Sequence, residues 1–430
     1  MKVAFCTLGC KVNQNDTEGL IRLFQDRGYE IAPFEAGADI YVINTCAVTC
    51  AGASKSRRAV SKAVRFMPKA VVVTGCYSQA FPADFAGLPG VRLLVGMAER
   101  PHIVDLVTEA LRENQLKVAV GRTADLNEWI DLPPVNTSGR TRAMLKIEEG
   151  CEQFCSYCVV PYARGKVRSM PSEKVIANFR KILERGFKEV VLTGIHLGVY
   201  GQDLGLTLND ILKELVKVEG DFRIRLGSIE PSDFNPELLR TVTANRKICR
   251  YLHIPLQSGC DRILKLMNRV YNTAYYDKLL AQIRELNPLM GIGTDLIVGF
   301  PGETEADFEE TRRFVKAQAF SRAHVFRYSP RRGTPAAALP GRVAKAKQEE
   351  RSREITAITS ATAHNFAAMF TGRGVEVLFE EKKGRFWTGL SSEYLRVETN
   401  FTENPGNNFQ VVTVNGVNGN ILSGVTTIKS

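Results

Sequence analysis

The sequence predicts an α/β protein in three units: an N-terminal doubly wound parallel sheet, a central partial (β/α)6 barrel and a small C-terminal antiparallel β-barrel of the OB kind. Three observations predict it. Short apolar or β-branched runs alternate with amphipathic stretches from the start of the chain to about residue 370, as parallel strands buried between helices do. An interval at 118–142 that contains Asn127, Asp131, Pro133, Pro134, Asn136, Ser138 and Gly139 interrupts the alternation and reads as a linker. Beyond Thr371 the helical pattern stops, and short strand-like runs follow one another across Gly- and Asn-rich turns.

In the first unit, strands are expected at 3–5, 40–43, 70–73 and 92–95, with helices over 17–27 and 53–66. In the second, strands are expected at 143–147, 189–193, 222–226, 251–254, 291–298 and 322–326. Six such units suit a partial barrel, although periodicity alone does not separate it from an open sheet. Residues 345–370 read as a charged, Ala-rich amphipathic helix. Strands at 375–379, 385–390, 394–397, 409–414 and 420–425 make the last unit. The boundaries are placed at 1–125, 140–370 and 371–430.

Composition narrows the class. The chain has 430 residues, 44% hydrophobic, 24% charged and 8% aromatic, which excludes a disordered, collagen-like or disulfide-scaffold protein. No run approaches the ~20 apolar residues of a membrane span, and the first residues lack the shape of a signal peptide, so a cytoplasmic protein is expected. The net charge of +11 is concentrated in residues 131–370, which fits either a solvated basic face or a polyanion partner. Ten cysteines without an export signal point to thiolate chemistry rather than disulfides.

Cys151, Cys155 and Cys158 form C-x3-C-x2-C just after a strand, in a loop opened by Gly150. Three thiolates on one loop can hold three irons of a [4Fe–4S] cube and leave the fourth open. Zinc is the competing metal, but a closed zinc site needs a fourth ligand, and no second knuckle follows. Cys10, Cys46 and Cys76 are far apart in sequence, yet each follows the carboxyl end of an expected parallel strand. In a doubly wound sheet those ends share one edge, where ligands bind. Small buried cysteines are also common, and spacing alone leaves the choice open. Cys6, Cys50, Cys249 and Cys260 read as packing or inert residues, and His253 as a hydrogen-bonded core histidine.

The first motif resembles that of the radical S-adenosylmethionine superfamily. Thr7-Leu8-Gly9-Cys10-Lys11-Val12-Asn13, Asn44-Thr45-Cys46, Thr74-Gly75-Cys76, the segment 252–259 and the segment 297–303 are similar to those of the methylthiotransferases within it. The tail resembles their RNA-binding TRAM domain. The resemblance covers nearly the whole chain. It implies two [4Fe–4S] clusters, one on Cys151, Cys155 and Cys158 that cleaves S-adenosylmethionine to a radical, and one on Cys10, Cys46 and Cys76 that holds or relays sulfur. It implies S-adenosylmethionine contacts at Tyr157, Thr193, Gly194, Glu230 and Gln257.

Gly9-Cys10-Lys11-Val12-Asn13, Thr193-Gly194-Ile195-His196 and His324-Val325-Phe326 are similar to the branch that inserts methylthio at C2 of N6-threonylcarbamoyladenosine beside the anticodon (position 37). Isopentenyladenosine in tRNA, a ribosomal-protein aspartate, and a non-catalytic iron–sulfur RNA-binding protein are the rivals. The expected partners are a tRNA anticodon stem-loop and an electron donor such as flavodoxin or ferredoxin, with no membrane and a monomeric enzyme. The tail has no net charge, so its positive side chains Lys382, Lys383 and Arg385 have to cluster on one face, or the central unit does most of the RNA binding. In the tail Phe386, Trp387 and Tyr394 are candidate base-stacking aromatics, with core packing favoured. Finally, the substrate's carboxylate calls for a cation, and Arg327, Arg331 or Arg332 after the last barrel strand is expected to pair with it; phosphate binding or a solvated turn stays open.

Overall fold

The computed structural model describes residues 1–113, 115–133, 141–401 and 404–426. Strands β1 (Lys2–Thr7), β2 (Glu30–Ala32), β3 (Ile40–Thr45), β4 (Ala70–Gly75), β5 (Val91–Val95) and β6 (Lys117–Ala119) form one parallel sheet in the order β2-β1-β3-β4-β5-β6. β3 and β4 are buried throughout, as strands covered on both faces must be. Alternate residues serve opposite layers. Tyr41, Ile43, Val71 and Val73 pack with the helix Cys50–Val64, whereas Val42, Val72 and Leu93 pack with the helices Lys11–Asp26 and Ile103–Glu113. The strand order reverses between β1 and β3, so the switch point lies where Cys10 and Cys46 follow those strands. The start of the expected linker is β6; residues 134–140 of it lie outside the described residues.

The central unit contains β7 (Arg142–Lys146), a short pairing of β8 (Glu148–Glu149) with β9 (Arg168–Ser169), then β10 (Glu189–Thr193), β11 (Arg223–Leu226), β12 (Tyr251–His253), β13 (Gly291–Val298) and β14 (Arg322–Arg327). Two parallel three-stranded sheets, β7-β10-β11 and β12-β13-β14, are joined by parallel bridges at Ile224–Ile248 and Ser228–His253. The result is a six-stranded partial barrel. Val190, Leu192, Ile224, Leu252, Ile292 and Leu296 point outward into the helical layer, so Glu189, Arg223, Arg225, His253 and Asp295 take the other face, the lumen. The helix Lys345–Ala368 packs on β14, but its buried face carries Arg351, Thr359 and Thr362 beside Ile355 and Phe366. The amphipathic expectation is corrected there: Arg351 is buried because Glu303 binds it at 2.6 Å.

The tail is a closed five-stranded barrel of β15 (Gly374–Lys383), β16 (Phe386–Ser391), β17 (Arg396–Thr399), β18 (Phe409–Asn418) and β19 (Ile421–Thr426), in the order β15-β16-β17-β19-β18. One neighbouring pair, β17 with β19, is parallel, which amends the antiparallel expectation. The reason is topological, since an odd number of strands closed into a ring cannot alternate direction at every neighbour. This barrel is bolted beneath the central one. Arg223 and Arg225, both buried, pair with Glu189 and donate to the carbonyls of Leu390 and Ser391 at 2.8 and 3.0 Å.

Candidate functional site

Cys10, Cys46 and Cys76 emerge from the carboxyl ends of β1, β3 and β4. Cys10 is the N-cap of the helix Lys11–Asp26, and Cys76 opens a short helix. Gly9 has φ +110°, and a Cβ there would lie 3.2 Å from the Cys46 sulfur, so the chain passes closely under that thiol only without a side chain. Burial pushes the Cys46 thiol up to about 11, with the neighbouring Cys76 and Cys10 adding to the shift. Metal binding has to displace that proton. Among the described residues, only His253, Asp295 and His324 bring three ligand atoms within 4.8 Å of one another. Three sulfurs around one zinc ion would stand about 3.8 Å apart. Neither cysteine triad is contracted that far, and an all-thiol set spread more widely suits an iron–sulfur cube.

The loop of Cys151, Cys155 and Cys158 follows β8. Gly150, with φ +98°, starts it; a Cβ there would lie 1.8 Å from the Lys166 carbonyl. Arg269 Nη1 donates to Cys155 Sγ at 2.8 Å, and Val160 N–H to Cys158 Sγ at 3.4 Å. Cys151 Sγ lies 3.8 Å from His196 Nδ1, whose other nitrogen meets Asp233 at 2.8 Å. Burial pushes Cys158 up to about 12. His196 rises to about 10: burial opposes the charge, but Asp233 and then Cys151 outweigh it.

A buried charge network joins the two triads. Asp16 receives Arg100 at 2.6 Å, Lys146 at 2.5 Å and Arg164 at 2.9 Å; Lys146 also binds Glu149 at 3.0 Å, and Arg164 forms a second ion pair with Glu149. Burial alone would raise the Asp16 carboxyl, yet Lys146, Arg164 and Arg100 hold it far below the usual carboxylate range. Arg164 Nε donates to Cys76 Sγ at 3.2 Å, and the carbonyl of the next residue, Gly165, accepts the Cys151 N–H at 3.0 Å. Two adjacent residues thus hold one cysteine of each triad.

The expected S-adenosylmethionine contacts divide. Tyr157 and Glu230 gather with Arg269 near Cys155, Glu230 as the ion-pair partner of Arg269. Burial raises Glu230 despite that cation. Tyr157 also packs edge-on against Phe300 in an apolar cluster. Thr193 is buried at the end of β10. Gly194 packs its Cα against Glu148, whose Oε2 would lie 2.5 Å from a Cβ there. Burial lifts the Glu148 carboxyl to about 8, while the His196 N–H it accepts at 2.6 Å pulls the other way. Gln257 has φ +66° and uses its backbone on both sides, accepting from Ile297 and donating to Asp295, each at 2.8 Å.

The three arginines also part company. Arg327 points to the outer face of β14 and pairs with Glu349; strand alternation puts it opposite the lumen, which corrects its expected role. Arg332 is exposed, pairs with Asp84 at 3.1 Å and lies over the Phe81 ring. Arg331 is buried. Cys50, expected as packing, is exposed on the first turn of its helix, where its N–H reaches Ser329 of the loop after β14. Tyr394 is not a surface stacking residue: its ring sits between Arg225 and Arg322, 4.6 and 4.9 Å away, and against Tyr251. A cavity of about 360 Å³ is lined by Lys11, the residue after Cys10, with Arg142, Val191 and Tyr394 and the carboxylates Glu380 and Glu381. Arg164, Arg269, His196, Asp233 and the Asp16 network were not assigned from the sequence. His196 alone stood in a quoted motif.

Residues 145–315 match the radical SAM superfamily, and residues 2–96 match the uncharacterized protein family UPF0004. The fold and the Cys151 loop define a radical SAM enzyme, a class that works with S-adenosylmethionine and a [4Fe–4S] cluster. The chain is 40% identical over 411 residues to the threonylcarbamoyladenosine tRNA methylthiotransferase MtaB of Bacillus subtilis (strain 168), covering 93% of this chain and 91% of that one. It is 37% identical over 385 residues to the tRNA-2-methylthio-N(6)-dimethylallyladenosine synthase of Moorella thermoacetica, covering 87% and 86%. Within its class, the chain belongs to the methylthiotransferase family and is a transferase. In fold it is similar to the radical S-adenosylmethionine methyltransferase TsrM of Kitasatospora setae, with TM-score 0.58, 15% identity, and coverage of 78% and 75%. No helix among the described residues is long and apolar enough to cross a membrane.

Proposed function

We propose that the protein inserts a methylthio group at C2 of N6-threonylcarbamoyladenosine at position 37 of tRNA. The observation that carries this reading is the junction of the two triads at Arg164 and Gly165, which suits a site where a radical and a sulfur donor act on one base. The relative named for this nucleoside supports the substrate. The second reading, dimethylallyladenosine, is favoured by relatives named for it at 37%, 34% and 31% identity, below the 42%, 40% and 39% of three relatives named for threonylcarbamoyladenosine.

In this reading Cys151, Cys155 and Cys158 hold one [4Fe–4S] cluster and Cys10, Cys46 and Cys76 a second. The first, with S-adenosylmethionine, supplies one-electron cleavage to a 5′-deoxyadenosyl radical, able to attack an unpolarised C–H bond. Arg269 and Glu230 form an oppositely charged pair positioned to receive the carboxylate and amino groups of the methionine moiety. Arg164 steadies Cys76, and the Asp16 network keeps water from the space between the triads by closing it with paired charges. The units are 1–125 for sulfur, 140–370 for the radical and 371–430, TRAM-like, for RNA. The enzyme acts as a monomer on an anticodon stem-loop and takes electrons from a flavodoxin or ferredoxin. Nucleoside analysis of tRNA from cells lacking the protein is the test. Loss of the 2-methylthio derivative of threonylcarbamoyladenosine is expected; its persistence would refute the reading.

A further inference from the structure

The loop after β14 carries a buried guanidinium with no acceptor. Ser329 Oγ accepts the Cys50 N–H at 2.9 Å, and the Pro330 carbonyl accepts from Cys50 Sγ at 3.1 Å, which seats the loop on the first turn of the helix Cys50–Val64. The next residue, Arg331, is only 6% exposed and lies in electrostatic range of Cys46. Its Nε is inaccessible and unpaired, and neither Nη has a hydrogen bond or ion pair among the described residues. The Nη groups, unlike Nε, keep some access to the outside.

The neighbouring cations show how unusual this is. Arg164, the other buried guanidinium at this triad, commits its nitrogens to Cys76, Asp16, Glu149 and Asn13. Arg332 has Asp84 and Arg327 has Glu349. A buried charge is stable only when paired, so the Arg331 fork is suited to an anion that comes from outside the chain. A planar, two-oxygen anion matches the fork bidentately, which is the geometry of a carboxylate.

We propose that Arg331 binds the carboxylate of the substrate's threonylcarbamoyl group and thereby selects this nucleoside; the proposal rests on the substrate reading above. In adenine, C2 and the carbon bearing N6 flank the same ring nitrogen. A residue that grasps the N6 substituent therefore has to stand near the sulfur that C2 receives, and the loop meets that demand: it is seated on Cys50, in the helix turn whose Gly52 would bring a Cβ within 3.3 Å of the Cys46 sulfur. A dimethylallyl group would leave the guanidinium desolvated and unpaired, which acts against the wrong nucleoside.

The test uses the reconstituted full chain and three anticodon stem-loops, bearing threonylcarbamoyladenosine, its carboxyl methyl ester, or dimethylallyladenosine. The parent enzyme is expected to favour acid over ester by about 10- to 100-fold in KM, the size of a charge-assisted pair. Arg331→Gln should bring that ratio close to one. Arg331→Lys, which keeps the charge without the fork, should retain part of it. Iron and sulfide are measured in each variant. A parent that treats acid and ester alike, or an Arg331→Gln enzyme that keeps the parent's ratio, overturns the carboxylate assignment alone. Equal losses on both substrates together with lost iron also overturn it, by placing Arg331 in the service of the cysteines. A parent active only on the dimethylallyl stem-loop overturns the substrate reading itself and the assignment with it.

Discussion

Each cysteine triad receives one N–H from a buried arginine: Arg164 Nε reaches Cys76 and Arg269 Nη1 reaches Cys155. A hydrogen bond to a cluster sulfur stabilises the more negative, reduced state and so raises the reduction potential. Lysine in place of arginine keeps the charge but cannot serve Cys76, Asn13 and two carboxylates from a single nitrogen. Arg164→Lys is therefore expected to retain its iron and to lower the potential of the second cluster, on the order of tens of millivolts. An EPR-monitored redox titration that finds no shift would count against the contact. The triads themselves make a sharper prediction. Anaerobic reconstitution should give about eight irons per chain, and alanine at Cys151, Cys155 and Cys158 together should leave about four. Full retention of iron in that triple variant would refute the central site. The matching variant of Cys10, Cys46 and Cys76 should still form 5′-deoxyadenosine but transfer no methylthio group, as product analysis would show.

At the scale of elements, the Cys151 loop depends on the turn that begins it. A methyl group at Gly150 would collide with the Lys166 backbone at a φ that only glycine adopts readily. Gly150→Ala should behave like the triple cysteine variant, leaving about four irons. Gly186→Ala has a similar φ, +87°, but nothing within 4 Å, and should cost only about 1 kcal/mol in a melting experiment. If Gly150→Ala binds the full complement of iron, the loop is not held as described. Such loops also mark how far the sequence could be read. β3, β4 and β13 were legible because long β-branched runs end at Gly, Asn or Thr, and the strand ends then placed Cys10, Cys46 and Cys76 on one edge. β2 and β6 were not, since three residues at a sheet margin carry no period. The Asp16–Lys146 contact was invisible too, because its partners stand 130 residues apart and each alone reads as a surface charge.

Across the whole molecule, the central barrel and the C-terminal barrel are held in register by polar contacts centred on a buried junction at Glu189, with Arg142–Glu380 at 2.8 Å beside it. Glu189 is fully buried and receives both Arg223 and Arg225, whose remaining N–H groups reach carbonyls on β16 and the turn after it. Burial would raise the Glu189 carboxyl, but Arg225 and then Arg223 more than reverse this and hold it at about 2. An unfolded glutamate titrates at about 4.3. A folded value below the unfolded one adds stability that is complete above about pH 4.3 and is lost as the pH falls toward 2. The junction is thus expected to open on acidification before the apolar core of either barrel fails. Limited proteolysis at pH 3 should cut between Phe370 and Val375, and at pH 7 it should not. Glu189→Gln should expose the same cut at neutral pH, since removing one partner of a buried ion pair costs about 3–5 kcal/mol. A C-terminal barrel that stays protected in Glu189→Gln would mean that its apolar contacts, such as Leu289 against the barrel core, hold it without the arginines.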